Sequence, residues 1–252
     1  FSIKIGINCM AILRRPKLGR VYGKTGDTVT QRRFGKDVVS IRPEHYVTIS
    51  ENLINTRKEF RLKVHFAKAI RESDLLTLCW ENCNLKSISG YHKAISYNSV
   101  RIKNDITTPE NIITPPYDFT YKYEMVYIDS FTHKFEKDSI HFEYSFSDNK
   151  ELMSPQYSCI AVFFVFFSDG KAQRFDWFTV DVPVIVENEN SDGIKTVKFE
   201  FTEKQKEIIK LYRLMRGYFA VVKENPQNKK SVFYSNTEYF EINLVEYFKQ
   251  EL

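Results

Sequence analysis

The sequence has 252 residues, a formal net charge of +5, and hydrophobic and charged contents of 42% and 27%. These values are typical of a globular protein, and the scarce glycine and 15% aromatic residues favour aromatic-rich strands over disorder or a coiled coil. The longest apolar run, residues 157–167, is shorter than the roughly 18 residues that a membrane-spanning helix needs, so no membrane span is expected.

The first nine residues, FSIKIGINC, lack the charged start, long apolar stretch and cleavage site of a secretory signal. We expect Met10 to be the biological start, and a short added β-strand is the alternative interpretation of residues 1–9. The four cysteines are scattered along the chain and indicate no disulfide framework. This pattern favours a reducing compartment such as the cytoplasm.

Residues 1–47 are predicted to form a basic, glycine-rich arm or hairpin. Residues 1–42 carry ten Lys or Arg against two Asp, a net charge of +8, so the rest of the chain carries 5 − 8 = −3. The arm has too few apolar residues for a core of its own, so we expect it to become ordered against another surface. Eight cations are its candidate contacts with a partner or with phosphate: Arg14, Arg15, Lys17, Arg20, Lys24, Arg32, Arg33 and Lys36.

The stretch GRVYGKTGD, residues 19–27, is similar to a phosphate-binding P-loop. That loop needs the pattern G-x-x-x-x-G-K-[ST] between a buried strand and a helix. Here the spacing from Gly19 to Gly23 is one residue short, and glycines and β-branched residues follow where the helix would begin. We therefore predict a glycine-permitted turn that displays basic side chains, and no nucleotide site.

Residues 48–117 are predicted to be a helical segment followed by a linker. Thr48 and Glu51 form a capping-box pattern that opens a long helix. Apolar residues then recur every three to four positions and define its predicted buried stripe: Leu53, Phe60, Val64, Ala67 and Ile70. Ser73 is expected to start a second helix, and a third is expected over residues 89–98.

Beyond the linker the hydrophobic period changes from 3.6 to 2, which predicts strands. Apolar and polar side chains alternate over residues 139–146, the pattern of a half-buried strand. Further strands are predicted at 121–131, 157–167, 174–186, 195–201, 217–223 and 231–243, with a helix from Glu203 to about Met215. About seven short strands with Asp-Gly turn signals predict an antiparallel, immunoglobulin-like β-sandwich over residues 118–252. The predicted fold class is therefore α+β.

The sequence contains no recognisable catalytic constellation. Asp176 and Asp181 are five residues apart on a predicted strand, which places them on opposite faces. No histidine pair has H-E-x-x-H spacing, and no serine lies in G-x-S-x-G. Cys79, Cys83 and His92 have metal-like spacing but lack a fourth ligand, so we predict that both cysteines pack in the core rather than bind zinc. We expect no catalytic residue, metal or cofactor.

Several short motifs follow one another in a characteristic order. They are G-K-x-G followed by GKDVVSIRP, R-x-x-F at Arg57 and Phe60, GYHKAISYN at 90–98, IHFEYSFSDN at 140–149 and YFAVVKENPQNKKSVFYSN at 218–236. This order resembles a family of uncharacterised proteins common in Bacteroidota and their mobile elements. The chain departs from that family where EHYVTIS replaces an Asn-Pro-Arg-Thr segment. The resemblance implies a basic N-terminus and a helical segment before a β-sandwich, and a non-enzymatic structural role.

Three functions are compatible with these features. The first is a structural protein of a phage particle or other large homo- or hetero-oligomeric assembly, located in the cytoplasm or the virion, whose arm contacts a neighbouring subunit. The alternative is a nucleic-acid-associated protein whose arm neutralises phosphates. A carbohydrate-binding sandwich is the third, and it depends on exposed aromatic residues such as Trp177.

Overall fold

The computed structural model describes residues 10–13, 23–25, 28–33, 36–41, 51–102, 107–119, 125–136, 138–147, 159–168, 175–183, 194–225 and 232–245. Its contacts divide the chain into two units, one ending at Leu53 and the other beginning at Ile54. The division falls within the first helix. The domain boundaries drawn from the sequence at residues 47 and 117 stay predictions.

The N-terminal unit contains a four-stranded antiparallel sheet. Its strands are β1 (Met10–Leu13), β2 (Gly23–Thr25), β3 (Thr28–Arg33) and β4 (Lys36–Ile41). They lie in the order β1-β4-β3-β2, so β2–β3 and β3–β4 are sequential hairpins. Threonine and valine, which favour extended backbone, alternate through the start of β3.

Three helices come next in the chain: α1 (Glu51–Glu72), which begins three residues before the second unit, α2 (Asp74–Asn82) and α3 (Gly90–Ser99). The predicted start at Ser73 is confirmed, because its side chain accepts a hydrogen bond from the amide of Leu76 at 3.5 Å. Thr48 lies outside the described residues. The predicted stripe of α1 is wrong in its first half, since burial begins at Leu62 and Phe60 is 61% exposed.

The strands and the last helix follow in the order β5 (Met125–Val126), β6 (Ile128–Phe135), β7 (Ser139–Phe146), β8 (Cys159–Ser168), β9 (Phe175–Pro183), β10 (Lys195–Glu200), α4 (Glu203–Leu211), β11 (Leu214–Glu224), β12 (Val232–Ser235) and β13 (Glu238–Asn243). One sheet has the order β5-β12-β11-β8-β9, and β13 also pairs with β11. A second sheet has the order β10-β7-β6. Every pairing is antiparallel except β5 with β12.

Strand β11 lies at the centre of the second unit and is buried on both faces. Tyr218 and Ala220 pack in the core formed with the helices, whereas Phe219 and Val221 pack in the core shared with β7. A helical layer, the larger sheet and the smaller sheet therefore stack in that order. Burial on both faces explains why the sequence of β11 is almost continuously apolar rather than alternating.

The turn between β12 and β13 connects the two sheets through side-chain hydrogen bonds. There the side chain of Ser235 accepts the amide N–H of Val221 at 2.9 Å, which replaces a missing ladder bond. The side chain of Asn236 accepts the amide N–H of Ile128 at 2.7 Å, at the point where the chain passes from β5 to β6. These two side chains fix the crossing between the sheets.

The predicted α+β class is confirmed. Strands lie in every region predicted for the second unit, but their ends are shifted, and the regions 121–131 and 231–243 each contain two strands rather than one, β5 and β6 in the first and β12 and β13 in the second. The capping box of α4 is confirmed by bonds between Thr202 and Gln205, but the helix ends at Leu211 rather than near Met215. Met215 is fully buried in β11, where it pairs with β8 and β13. No helix among the described residues has both the length and the apolar character needed to cross a membrane.

Candidate functional site

The predicted contact residues of the arm are placed only in part by the structure. Arg14, Arg15, Lys17 and Arg20 lie outside the described residues. The other four lie on strands of the N-terminal sheet, Lys24 on β2, Arg32 and Arg33 on β3, and Lys36 on β4.

The strand register decides which of these four positions are neighbours. Arg33 pairs with Lys36, and Arg32 pairs with Asp37, so three cations share the end of the β3–β4 hairpin with one acid. Lys24 pairs with Val29, near the opposite end of β3. The sheet therefore concentrates Arg32, Arg33 and Lys36 at one hairpin end and separates them from Lys24.

The same strands bear on the similarity of residues 19–27 to a P-loop. Gly23–Thr25 is strand β2, and Thr28–Arg33 is strand β3, antiparallel to it. A P-loop would instead begin a helix here, whose first amide groups bind phosphate. The described backbone therefore has a hairpin where a nucleotide-binding loop would need a helix.

A polar junction joins β9 to α1. Three side chains on the same side of β9 each reach the helical segment. Trp177 donates to Nδ1 of His65 at 3.0 Å, and Thr179 donates to the carbonyl of Ala69 at 2.9 Å. Asp181 accepts from Ser73 at 3.1 Å. The spacing of four residues on the helix matches two residues on the strand, so the two elements run side by side.

Burial and neighbouring charges shift the pKa values of two groups at this junction. Burial lowers the pKa of His65, and the nearby charges of Lys68 and Arg61 lower it further. Burial raises the pKa of Asp181, and the charge of Asp74 acts in the same direction, against the hydrogen bond from Ser73. The three hydrogen bonds of this junction hold β9 against the helical segment.

Trp177 is half-buried and its indole N–H is used in this junction. This position differs from the exposed aromatic surface that the carbohydrate-binding hypothesis requires. Asp176 lies on the other face of β9, where it accepts a hydrogen bond from the hydroxyl of Tyr212 at 2.6 Å. The two acids of β9 therefore have separate partners on opposite faces and form no shared site.

A serine, a histidine and a glutamate meet at the β6–β7 hairpin. The hydroxyl of Ser139 and a carboxylate oxygen of Glu136 both lie 3.3 Å from Nε2 of His141. A catalytic triad requires the hydroxyl and the carboxylate on opposite ring nitrogens, so that proton transfer can pass through the imidazole. Because both groups contact the same nitrogen, this cluster does not have the arrangement of a catalytic triad.

A second polar cluster ties β11 to β13. Arg216 and Tyr239 donate to the same oxygen of Glu241, at 2.8 and 2.6 Å. Partial burial raises the pKa of Glu241, but the bonds from Tyr239 and Arg216 outweigh it and hold that pKa below the ordinary range. The carboxylate is therefore ionised and already engaged, which makes this a cross-strand clamp.

The cysteines with metal-like spacing are core residues. Cys79 and Cys83 belong to the cluster packed between the helices and the larger sheet. Burial raises the pKa of Cys83, which disfavours the thiolate that binds metals. His92 is exposed and contacts Ser89 at 2.8 Å. Among the residues that the structure describes, no three His, Cys, Asp or Glu side chains gather as metal ligands.

Comparison with known proteins returned no match, whether with protein-family models, curated proteins or solved structures. The strand register makes the cationic hairpin end, formed by Arg32, Arg33 and Lys36, the candidate contact site. The polar junction at β9 is the feature that sequence reasoning missed. Its signal was the alternation of Trp177, Thr179 and Asp181 along one strand face, and no pattern in the sequence named their helical partners.

Proposed function

We propose that this chain is a non-enzymatic structural protein of a phage particle or another large assembly, and that its N-terminal region supplies a contact between subunits. The observation that carries the proposal is the segregation of charge, with a net +8 in residues 1–42 and −3 in the remainder. The resemblance of the motifs to proteins of mobile elements agrees with this role.

The size of the N-terminal sheet supports the proposal. Its described strands have three to six residues, and a small sheet with one apolar face needs a second layer to be stable. Val38 is buried, so part of this sheet is already covered. We infer that a neighbouring subunit supplies further cover, and that order in this region depends on assembly.

The charges of the two parts suit such a contact. The basic N-terminal region of one copy and the acid-leaning remainder of another attract each other at moderate salt. The second unit provides the rigid body in this proposal, through its two facing sheets and its helical layer. The immunoglobulin-like class of that body stays a prediction.

A charge-neutralised variant tests the proposal. Replacing the four described cations, Lys24, Arg32, Arg33 and Lys36, by glutamine lowers the assembly state measured by sedimentation velocity. The matched control replaces four exposed cations of the second unit, Lys86, Lys204, Lys210 and Arg213, by glutamine. Equal assembly of both variants and the unmodified chain contradicts a subunit contact through this region.

Nucleic-acid binding is the second candidate function, and the cationic hairpin end is the observation that favours it. A two-stranded β-ribbon fits the major groove of duplex DNA, and the end of the β3–β4 hairpin holds three cations, with Arg33 opposite Lys36 and Arg32 opposite Asp37. The test is the affinity for a random-sequence duplex as a function of salt. If this function holds, removal of Arg32, Arg33 and Lys36 reduces the slope of log K against log[salt] by about 3. A slope equal to that of the control variant rejects it.

A further inference from the structure

The outward side of α1 carries a row of exposed cations. Its members are separated by four, seven and three positions, which are spacings that place residues on one side of a helix. At a rise of about 1.5 Å per residue, the row is about 21 Å long. The name cationic row is used below for these four exposed residues: Arg57, Arg61, Lys68 and Arg71.

The opposite side of α1 is held in the core, so the cationic row faces away from the larger sheet. Leu62, Phe66 and Ile70 recur every four residues and are buried in the cluster between the helices and that sheet. Because its apolar side is fixed in this way, the helix displays its cations in a straight line on a packed element. A partner that binds such a line loses little free energy in ordering it.

The charge of this part of the helix is strongly one-sided. Residues 57–71 contain six Lys or Arg and one acid, a net charge of +5. The one acid, Glu59, lies 3.6 Å from Lys63, which is not a member of the cationic row. Two further acids, Glu72 and Asp74, follow the row at its C-terminal end. The helix therefore carries a net positive charge that a linear anionic partner complements.

Aromatic rings lie at both ends of the cationic row. Phe60 precedes Arg61 in the chain and is 61% exposed, so core packing does not account for it. At the other end, the guanidinium of Arg71 lies 5.9 Å from the centre of the Tyr91 ring. Proteins that bind single-stranded nucleic acid combine cations along the phosphate backbone with aromatic rings on which bases stack. The exposed ring of Phe60 beside the row matches this combination.

We propose that the cationic row of α1 binds single-stranded nucleic acid, with phosphates along the row and a base stacked on Phe60. Three of the four cations are arginines, whose planar guanidinium groups form paired hydrogen bonds with phosphate. A membrane surface fits less well, because insertion requires an apolar helix face and that of α1 is packed in the core. The row lies in the second unit, so this inference goes beyond the proposed subunit contact and holds or fails independently of it.

Removal of the charges tests the cationic row. The probe is a fluorescent oligothymidine of about 12 nucleotides, and the parent protein is the full chain whose N-terminal sheet already carries glutamine at its four described cations. Replacing the cationic row by glutamine in this parent reduces the slope of log K against log[salt] by about 3. The control variant, which keeps the slope of the parent, replaces four exposed cations of β10, α4 and the turn after it by glutamine: Lys198, Lys204, Lys210 and Arg213. Equal slopes in the two variants, or a parent that does not bind the probe, overturn the proposal.

Removal of the exposed ring tests base stacking. Phe60→Ala weakens binding of the same oligothymidine by about tenfold and leaves the salt slope unchanged, because a ring contact releases no counterion. Tyr127→Ala, at a second exposed aromatic residue, is the matched control and keeps the affinity of the parent. Equal affinity of the two alanine variants overturns the proposal. Tighter binding to phosphatidylserine vesicles than to the oligonucleotide, or equal displacement of the probe by polyglutamate, also overturns it, in favour of a lipid surface or an acidic protein.

Discussion

Trp177 on β9 donates its indole N–H to Nδ1 of His65 on α1, with 3.0 Å between the two nitrogens. The two rings meet nearly edge to face, with centroids 6.1 Å apart. This bond requires an unprotonated Nδ1, so the fold selects the neutral imidazole. The packing of α1 against β9 therefore depends on the protonation state of the His65 side chain.

This relationship predicts that acid weakens the fold through His65. Its pKa in the folded state is lowered from 6.5, chiefly by burial, so the unfolded chain binds its proton first as pH falls. The neutral histidine therefore stabilises the fold fully above pH 6.5, and this contribution is lost as pH falls through the lowered pKa. We expect the free energy of unfolding, measured in urea, to fall between pH 7.5 and pH 5.

His65→Asn is the informative variant for this prediction. The asparagine oxygen can accept the indole N–H but does not titrate, so the loss of stability between pH 7.5 and pH 5 becomes smaller. His92→Asn, on the exposed side of α3, is the control and keeps the pH dependence of the unmodified chain. An identical pH profile in the His65 variant contradicts the assignment.

The close approach of the Phe240 ring to Gly217 predicts an effect on core packing. A Cβ atom at this position would lie 1.9 Å from the ring of Phe240, its cross-strand partner on β13. Gly217→Ala must therefore displace a ring in the core between the sheets, at a cost of about 1–3 kcal/mol in urea unfolding. In a Phe240→Leu background the added cost of the alanine is smaller. Additive costs of the two substitutions would show that the ring and the methyl group do not compete.

The hydrogen bonds of the Asn98 side chain predict that it stabilises the loop between α3 and β5. Its side chain donates to the carbonyl of Ile112 at 3.0 Å and accepts the amide of Ile112 at 2.9 Å, and it contacts Asn111 at 3.3 Å. Asn98→Ala leaves buried backbone groups without these partners, which costs about 1–3 kcal/mol per group. Ser96→Ala, exposed on the same helix, is the control and changes stability little. Equal stability of the two variants would contradict the role of Asn98.

The fold was predictable from sequence where burial is one-sided and local. The alternation over residues 139–146 predicted β7, and Thr202 with Gln205 predicted the start of α4. The end of α4 was missed because Leu214 and Met215 continue a helical pattern, while pairing with β8 and β13 decides their conformation. Contacts between distant segments override local propensity there.

The site was less predictable than the fold. Charge counting selected eight cations, but only strand register shows that Arg33 and Lys36 are direct neighbours. The partnership of His65 with Trp177 joins residues 112 positions apart, and no spacing rule connects them. The stripe of α1 was misjudged at Phe60 because periodicity gives the direction of a face but not how far along the helix the sheet extends.

In the proposed function, the N-terminal sheet gains its order from a neighbouring subunit. Amide hydrogen exchange of residues 28–33 and 36–41, measured over a hundredfold range of protein concentration, tests it most directly. If a neighbouring subunit orders the sheet, protection of β3 and β4 rises with concentration, in step with the mass measured by sedimentation, while β11 stays protected throughout. Strong protection of β3 and β4 in a dilute monomer, unchanged by concentration, would contradict it.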